Sequence, residues 1–296
     1  MSNCITDIGL EGGATPSPLQ IDLPGTLTRK LGRQRMRFVP KWLIRWLEKV
    51  ICVPQMNALL EAAWPATGGD FARRVLEVLD VRTHVVGADR LPDPKDRRVM
   101  LVSNHPLGGI EGMALIDLMS RHFGGRVYVM VNDMLMAIEP LREVFLPVNK
   151  HGRQDHATAQ RVEEALASDN PVLIFPAGLV SRLLPRVGVH DLPWKPAFVN
   201  LAVRHGRKVV PVYCGGRNSM FFYRLARWRR RLGIGLNIEM VRLPREVFGC
   251  RGTTLPIVIG DPVDAADIKG GPQARQTADD LCRRVYSLAR QVPTNI

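Results

Sequence analysis

The spacing of hydrophobic residues changes part-way along this 296-residue chain. From residue 97 onward, short unbroken apolar runs alternate with longer amphipathic stretches. "RRVMLVSN" reads as a buried strand and "IEGMALIDLMSRHF" as a helix. "RVYVMV" and the short "FLPVN" read as two more strands, ahead of a helix over "DHATAQRVEEALAS". "PVLIFP" is the next strand, and a helix over roughly 195–205 leads into the strand "KVVPVYC". "LPIVIGDPV" is expected to be the last strand, before the amphipathic C-terminal helix "ARQTADDLCRRVYSLARQV". Continuous apolar strands separated by helices predict an α/β fold, a mostly parallel sheet flanked by helices on both faces.

Upstream the pattern differs. Residues 1–34 are rich in Gly, Pro and Thr and show little periodicity, so they are expected to form a flexible or loosely docked arm. In "MRFVPKWLIRWLEKVICV" the polar positions Lys41, Arg45, Glu48 and Lys49 form one stripe at helical spacing. Trp42, Leu43, Ile44, Trp46, Leu47, Val50 and Ile51 make a wide apolar face. Such a helix suits either a membrane interface, with tryptophans at headgroup depth, or the surface of a protein core. "DFARRVLEVLDV" reads as a further amphipathic helix with Asp70 at its start. These patterns divide the chain into an arm (1–34), an amphipathic helical, membrane-proximal extension (35–80) and one domain (81–296).

The net charge of +13 speaks to partners more than to fold. It fits a solvated basic surface, an anionic membrane or a nucleic acid. Its densest run lies around "RLARWRRRLGIG", where Arg217, Arg224, Arg227, Arg229, Arg230 and Arg231 occur without an intervening acid. Phe221, Phe222, Tyr223 and Trp228 are interleaved with them, which suits membrane docking, with a solvated helix face as the alternative. A nucleic-acid reading needs a recognisable binding fold or stacking aromatics on a strand face, and the sequence offers neither, so no specific nucleic acid is expected. No run approaches the roughly 20 apolar residues of a membrane span. The N-terminus lacks the basic start and apolar core of a signal peptide. The expectation is a soluble or peripheral protein of the cytoplasm, on the inner face of the membrane. The five cysteines, Cys4, Cys52, Cys214, Cys250 and Cys282, are scattered without metal-binding spacing and read as reduced and structural, with no metal implied.

The stretch with the most chemistry is "VSNHPLGGIEG", Val102 to Gly112. It falls at the carboxyl end of the first apolar strand of the α/β region, where open α/β sheets place their sites. Pro106 biases His105 toward extended backbone angles. Gly108 and Gly109 permit close approach of a substrate or another backbone. Glu111 lies in the first turn of the following helix, where a carboxylate is favoured, and can reach back to one imidazole nitrogen, leaving the other free as a base. No serine or cysteine stands in a nucleophile-elbow context, so the dyad suits activation of a hydroxyl or amine on a substrate. The spacing alone also fits an ordinary strand-to-helix turn.

Four blocks in order add to this reading: "NHPLGGIEG", "FLPVNKHGR", "LIFPAGLVSR" and "VVPVYCGGRNS". Over about residues 80 to 265 the chain resembles the glycerolipid acyltransferase family, which includes the lysophosphatidic acid acyltransferases, and is most similar to its bacterial hemolysin-like branch. "DLPWKPAFVNLA" and "LPREVFGCRGTTLPIVIGDPV" also fit that branch. The resemblance implies acyl transfer from acyl-CoA or acyl carrier protein to the hydroxyl of a lipid acceptor, with no metal or tightly held cofactor. It implies His105 as general base and Glu111 as the acid that orients it. Five residues separate the two here, against the commoner four, and Asp is replaced by Glu, whose extra methylene extends its reach.

For substrate binding the blocks offer Asn104, Gly108, Gly109, Lys150, Arg153, Gly178, Ser181, Arg182 and Arg217. Lys150 and Arg153 suit a phosphate or carboxylate, or form a solvated basic turn. Arg217 is an anion ligand or a structural tie. The backbone N–H groups near Gly108 and Gly109 are candidate oxyanion donors. Asp191 and Trp194 read as structural for the loop after the third block. Enzymes of the family with phosphate-bearing acceptors carry Glu in the third block where this chain has Ala177, which argues against glycerol 3-phosphate and lysophosphatidic acid. A lipid hydrolase using the same dyad and a lipid-binding protein with a degenerate site are the alternative functions.

Overall fold

The computed structural model describes residues 19–148, 156–235 and 237–293. Seven strands form one sheet: β1 (Arg82–Val86), β2 (Val99–Ser103), β3 (Tyr128–Asn132), β4 (Phe145–Val148), β5 (Val172–Ile174), β8 (Lys208–Cys214) and β9 (Thr254–Ile259). A short antiparallel hairpin, β6 (Arg182–Leu184) and β7 (Gly188–His190), stands apart. The sheet order is β1-β9-β8-β2-β5-β3-β4, with parallel pairing everywhere except between β8 and β9. This is the mostly parallel sheet expected from the apolar runs.

The helices are α1 (Leu23–Leu31), α2 (Arg33–Met36), α3 (Lys41–Val50), α4 (Val53–Ala63), α5 (Gly68–Val78), α6 (Ile110–Phe123), α7 (His156–Ala167), α8 (Ala197–Arg204), α9 (Met220–Arg231), α10 (Leu243–Gly249) and α11 (Ala274–Ser287). Strand β2 shows how the two layers form. Its side chains alternate, so Val99 and Leu101 join α4, α5 and α6 in one core while Met100 and Val102 join α8 and α11 in the other. All five β2 residues are buried, which places it in the middle of the sheet.

Four features differ from the sequence expectation. The presumed arm contains α1, started by Asp22, whose carboxylate accepts the Gly25 N–H at 2.8 Å. Asn57 of α4 bonds Ile21 through both its oxygen and its nitrogen, at 2.7 and 3.3 Å, and so docks this segment. The long apolar run after residue 40 breaks at Cys52, whose left-handed φ of 55° separates α3 from α4, with Pro54 in the first turn of α4. Leu59, Leu60 and Ala63 of α4 and Phe71, Val75 and Leu76 of α5 lie in the same core as β2, whereas α3 buries no residue. The fourth difference is β1, an edge strand of mixed polar and apolar residues whose exposure breaks the apolar pattern.

Where α8 turns into β8, Arg207 is fully buried. Its guanidinium donates to the carbonyls of Leu166 (2.9 Å), Val99 (3.1 Å), Asn170 (2.9 Å), Ala165 (3.1 Å) and Ser168 (2.6 Å), gathering the end of α7 and the start of β2. Burial, with Arg98 nearby, pushes its pKa down to about 10, so it stays charged at neutral pH. Replacing it leaves several carbonyls in the interior without donors. The Arg207→Met protein is expected to lose about 2–4 kcal/mol of unfolding free energy, read from urea denaturation.

Candidate active site

His105 leaves the carboxyl end of β2, flanked in the sheet by β8 on one side and β5 on the other. Its backbone is held from both sides. The N–H donates to Asp191 Oδ1 at 3.2 Å, and the carbonyl accepts the Ser181 N–H at 2.7 Å. The ring stacks on Phe175 at the end of β5, with centroids 4.3 Å apart. Its Nδ1 lies 3.0 Å from Glu111 Oε1, and the side chain is 18% exposed. The contact turns Nδ1 toward the buried carboxylate and Nε2 away from it.

Glu111 is fully buried in the first turn of α6. Its Oε1 accepts the N–H groups of Leu107 and Gly108, both at 2.8 Å, and its Oε2 accepts that of Gly109 at 3.0 Å. Burial alone would raise its pKa; the His105 imidazole and these N–H groups outweigh that effect and hold the carboxyl below its ordinary value. Across the five-residue gap, the longer side chain of Glu111 thus reaches the His105 ring.

The same bonds correct one expectation. The N–H groups of Gly108 and Gly109 are committed to Glu111 and are not free for an oxyanion. The glycines serve packing. Gly108 has φ +87°, and a Cβ there would meet Val180 at 2.6 Å and Leu243 at 2.8 Å; one at Gly109 would lie 3.1 Å from Val247.

Three polar residues expected at the substrate are buried structural ties instead. Asn104 donates to the Cys214 carbonyl at 2.8 Å and accepts the Cys214 N–H at 2.7 Å, clasping β2 to β8. Ser181 Oγ donates to Asp191 Oδ1 at 2.5 Å. Arg182 lies 2.9 Å from Glu239, which Arg229 of α9 also contacts at 2.9 Å, so the third block offers no free arginine. A polar residue type announces a hydrogen bond but not whether its partner is substrate or backbone.

Gly178, at φ +65°, closes the turn after β5 by donating its N–H to the Phe175 carbonyl at 2.9 Å. Arg217 is exposed and makes no ion pair with a described residue. Its neighbour Asn218 is buried and donates to the Pro106 carbonyl at 3.3 Å, which holds the fourth block against the His105 loop. Lys150 and Arg153 lie outside the described residues.

Asp191, expected to be structural for the loop after the third block, is a buried tie there and also reaches the His105 backbone. Besides His105 and Ser181, this buried carboxylate accepts Trp194 Nε1–H at 2.9 Å, and its own N–H donates to Tyr286 Oη at 2.7 Å. The signal was the acid in "HDLPW", ten residues after Ser181. Phe175 was likewise read only as part of an apolar strand. Cys214 lies beneath the loop, and burial pushes its thiol upward; burial also raises Cys250 to about 11 and Cys282 to about 12. None of these three thiols is activated. Among the described residues, the site brings a buried acid to one ring nitrogen of His105 and sets no activated thiol beside it.

The chain is similar to known acyltransferases. Residues 27–294 match the model of a family described as "Acyltransferase". A "Lyso-glycine lipid O-acyltransferase" of Bacteroides thetaiotaomicron is 37% identical over 268 residues, 90% of this chain and 97% of the relative. One of the same description from Phocaeicola vulgatus is 37% identical over 245 residues, 82% of this chain and 86% of the relative. Among solved structures, the 1-acyl-sn-glycerophosphate (LPA) acyltransferase PlsC of Thermotoga maritima is similar at 18% identity and a TM-score of 0.47, over 80% of each chain. With its family match spanning nearly the whole sequence, the chain belongs to the acyltransferase family.

Proposed function

We propose that this acyltransferase moves a fatty acyl group from an acyl thioester, acyl-CoA or acyl carrier protein, to the hydroxyl of a lysolipid. His105 acts as general base and Glu111 as the acid that orients it. The observation that carries the assignment is the 3.0 Å approach of Nδ1 to Glu111, which leaves Nε2 as the basic atom. As Nε2 takes the hydroxyl proton, the acceptor oxygen attacks the thioester carbonyl. A C–O ester bond forms, the C–S bond breaks, and the imidazolium returns the proton to the departing thiolate. Glu111 stabilises the imidazolium between those steps.

The relatives support the choice of acceptor class. Both are described as acting on lyso-glycine lipid, and one of them is matched over nearly its full length. A lysolipid of that class fits a third block in which Ala177 is buried and Arg182 is neutralised by Glu239. Arg217, exposed beside the His105 loop, is the candidate ligand for an anionic group on the acceptor.

Such an acceptor resides at a lipid surface, and we assign the first membrane contact to α2 and α3. Phe38, Trp42 and Trp46 are each more than half exposed there, among Arg33, Arg35, Arg37, Lys41, Arg45 and Lys49. No helix among the described residues is long and apolar enough to cross a membrane.

The central test uses a labelled acyl thioester and a lysolipid acceptor, with the product identified by mass. His105→Ala is expected to lower kcat by about 10²–10⁴-fold while the far-ultraviolet dichroism is unchanged. Retained turnover in that folded variant would overturn the mechanism. Fatty acid release at equal rates with and without acceptor would mark a hydrolase instead.

Glu111→Gln tests the second half of the dyad and is expected to cost about 10²-fold or more in kcat. It also carries a pH signature. The folded carboxyl sits below its ordinary value, so its stabilising contribution is full above that value and is lost as pH falls through the lower folded one. Urea midpoints taken at neutral and acidic pH should therefore fall less for Glu111→Gln than for the parent protein.

A further inference from the structure

We propose that the outward face of α9 is a second lipid-contacting surface, by which the rim of the active site rests on an anionic bilayer. The proposal rests on the reading that the acceptor is a lysolipid held in a membrane.

The structure divides the basic run of this helix into two sets. Phe222, Tyr223, Ala226 and Arg229 are buried, and Arg229 is committed to Glu239 and to the Ile234 carbonyl, 2.7 Å away. On the opposite side, Phe221, Arg224, Trp228 and Arg231 recur at intervals of three and four residues, and Leu232 follows at the end of the helix. One helical face therefore carries alternating aromatic and basic side chains. Phe221, Trp228 and Leu232 are each more than half exposed. Arg224, Arg227, Arg230 and Arg231 are exposed too, and none makes an ion pair with a described residue. Arg242 adds a cation 4.2 Å from the centre of the Phe221 ring.

A helix face meant only for water does not need a tryptophan, a phenylalanine and a leucine in one row. Aromatic rings between unpaired arginines match the headgroup region of an anionic leaflet, where rings enter the acyl boundary and guanidiniums meet phosphates. The position of the helix supplies the second argument. Its N-cap, Ser219, follows Asn218, which holds the Pro106 carbonyl beside His105. Ser219 is fixed in turn by Glu246 of α10, through its N–H and its hydroxyl, both at 2.7 Å. The lipid-facing row thus begins within a few residues of the reacting histidine, so docking there brings the loop bearing His105 to the surface that holds the acceptor.

The test is vesicle flotation of the full-length protein on phosphatidylglycerol–phosphatidylcholine and pure phosphatidylcholine vesicles. The variants are Phe221→Ser with Trp228→Ser, and Arg224→Gln with Arg231→Gln. Each pair is expected to lower partition onto anionic vesicles by about tenfold or more, the arginine pair with little effect on neutral ones. Turnover of a short-chain soluble acceptor should stay within about twofold of the parent, and turnover of vesicle-borne acceptor should fall with partition. A smaller loss of partition in either pair overturns the proposal, as does a parent dimer in light scattering that both pairs dissociate, which would assign the face to a second copy of the chain. Partition is read without turnover, so a parent protein that floats but transfers no acyl group overturns the enzymatic reading and leaves this surface standing.

Discussion

The site depends on one buried negative charge. Glu111 sits in the interior with no contact to water, and an unpaired carboxylate there would cost several kcal/mol. Three consecutive N–H groups and one imidazole nitrogen resolve that cost. To deliver those N–H groups the chain must curl around the carboxylate, which sets the positive φ of Gly108 and brings the loop against Val180 and Leu243. The carboxylate around which the loop folds is therefore also the group that faces the His105 ring.

Around that charge, a second set of ties joins segments distant in sequence. Asp191 reaches the His105 backbone from beyond the β6–β7 hairpin, Asn218 reaches Pro106 from the end of β8, and Asn104 ties β2 to β8. Three of the four sequence blocks meet here because β5, β2 and β8 are neighbours in the sheet and end on the same side. The parallel order of the strands is what turns separate motifs into one site.

How much of this was legible depended on whether a residue's role is local or long-range. Helix α6 and strand β8 begin and end at the residues expected from the sequence, since apolar periodicity and flanking glycines are local signals. Strand β1 escaped because an edge strand needs no continuous apolar run, and the three-residue strands of the hairpin fall below what periodicity can register. In the site, His105 and Glu111 were visible as a pair within one turn and one helix start. Ser181 and Arg182 read as substrate contacts, yet their partners are Asp191 and Glu239, ten and 57 residues away. Burial of a polar side chain is decided by what packs over it, and that information lies elsewhere in the chain.

The sheet order has a consequence for how the site is braced. The strand bearing His105 lies at the centre, while β4, whose end leads into the second block, lies at an edge three positions along. Asn104, Asp191 and Asn218 brace the histidine against neighbouring strand ends and against the loops beyond β5 and β8. The braces on the His105 loop therefore come from the centre of the sheet, and the edge strand β4 supplies none of them.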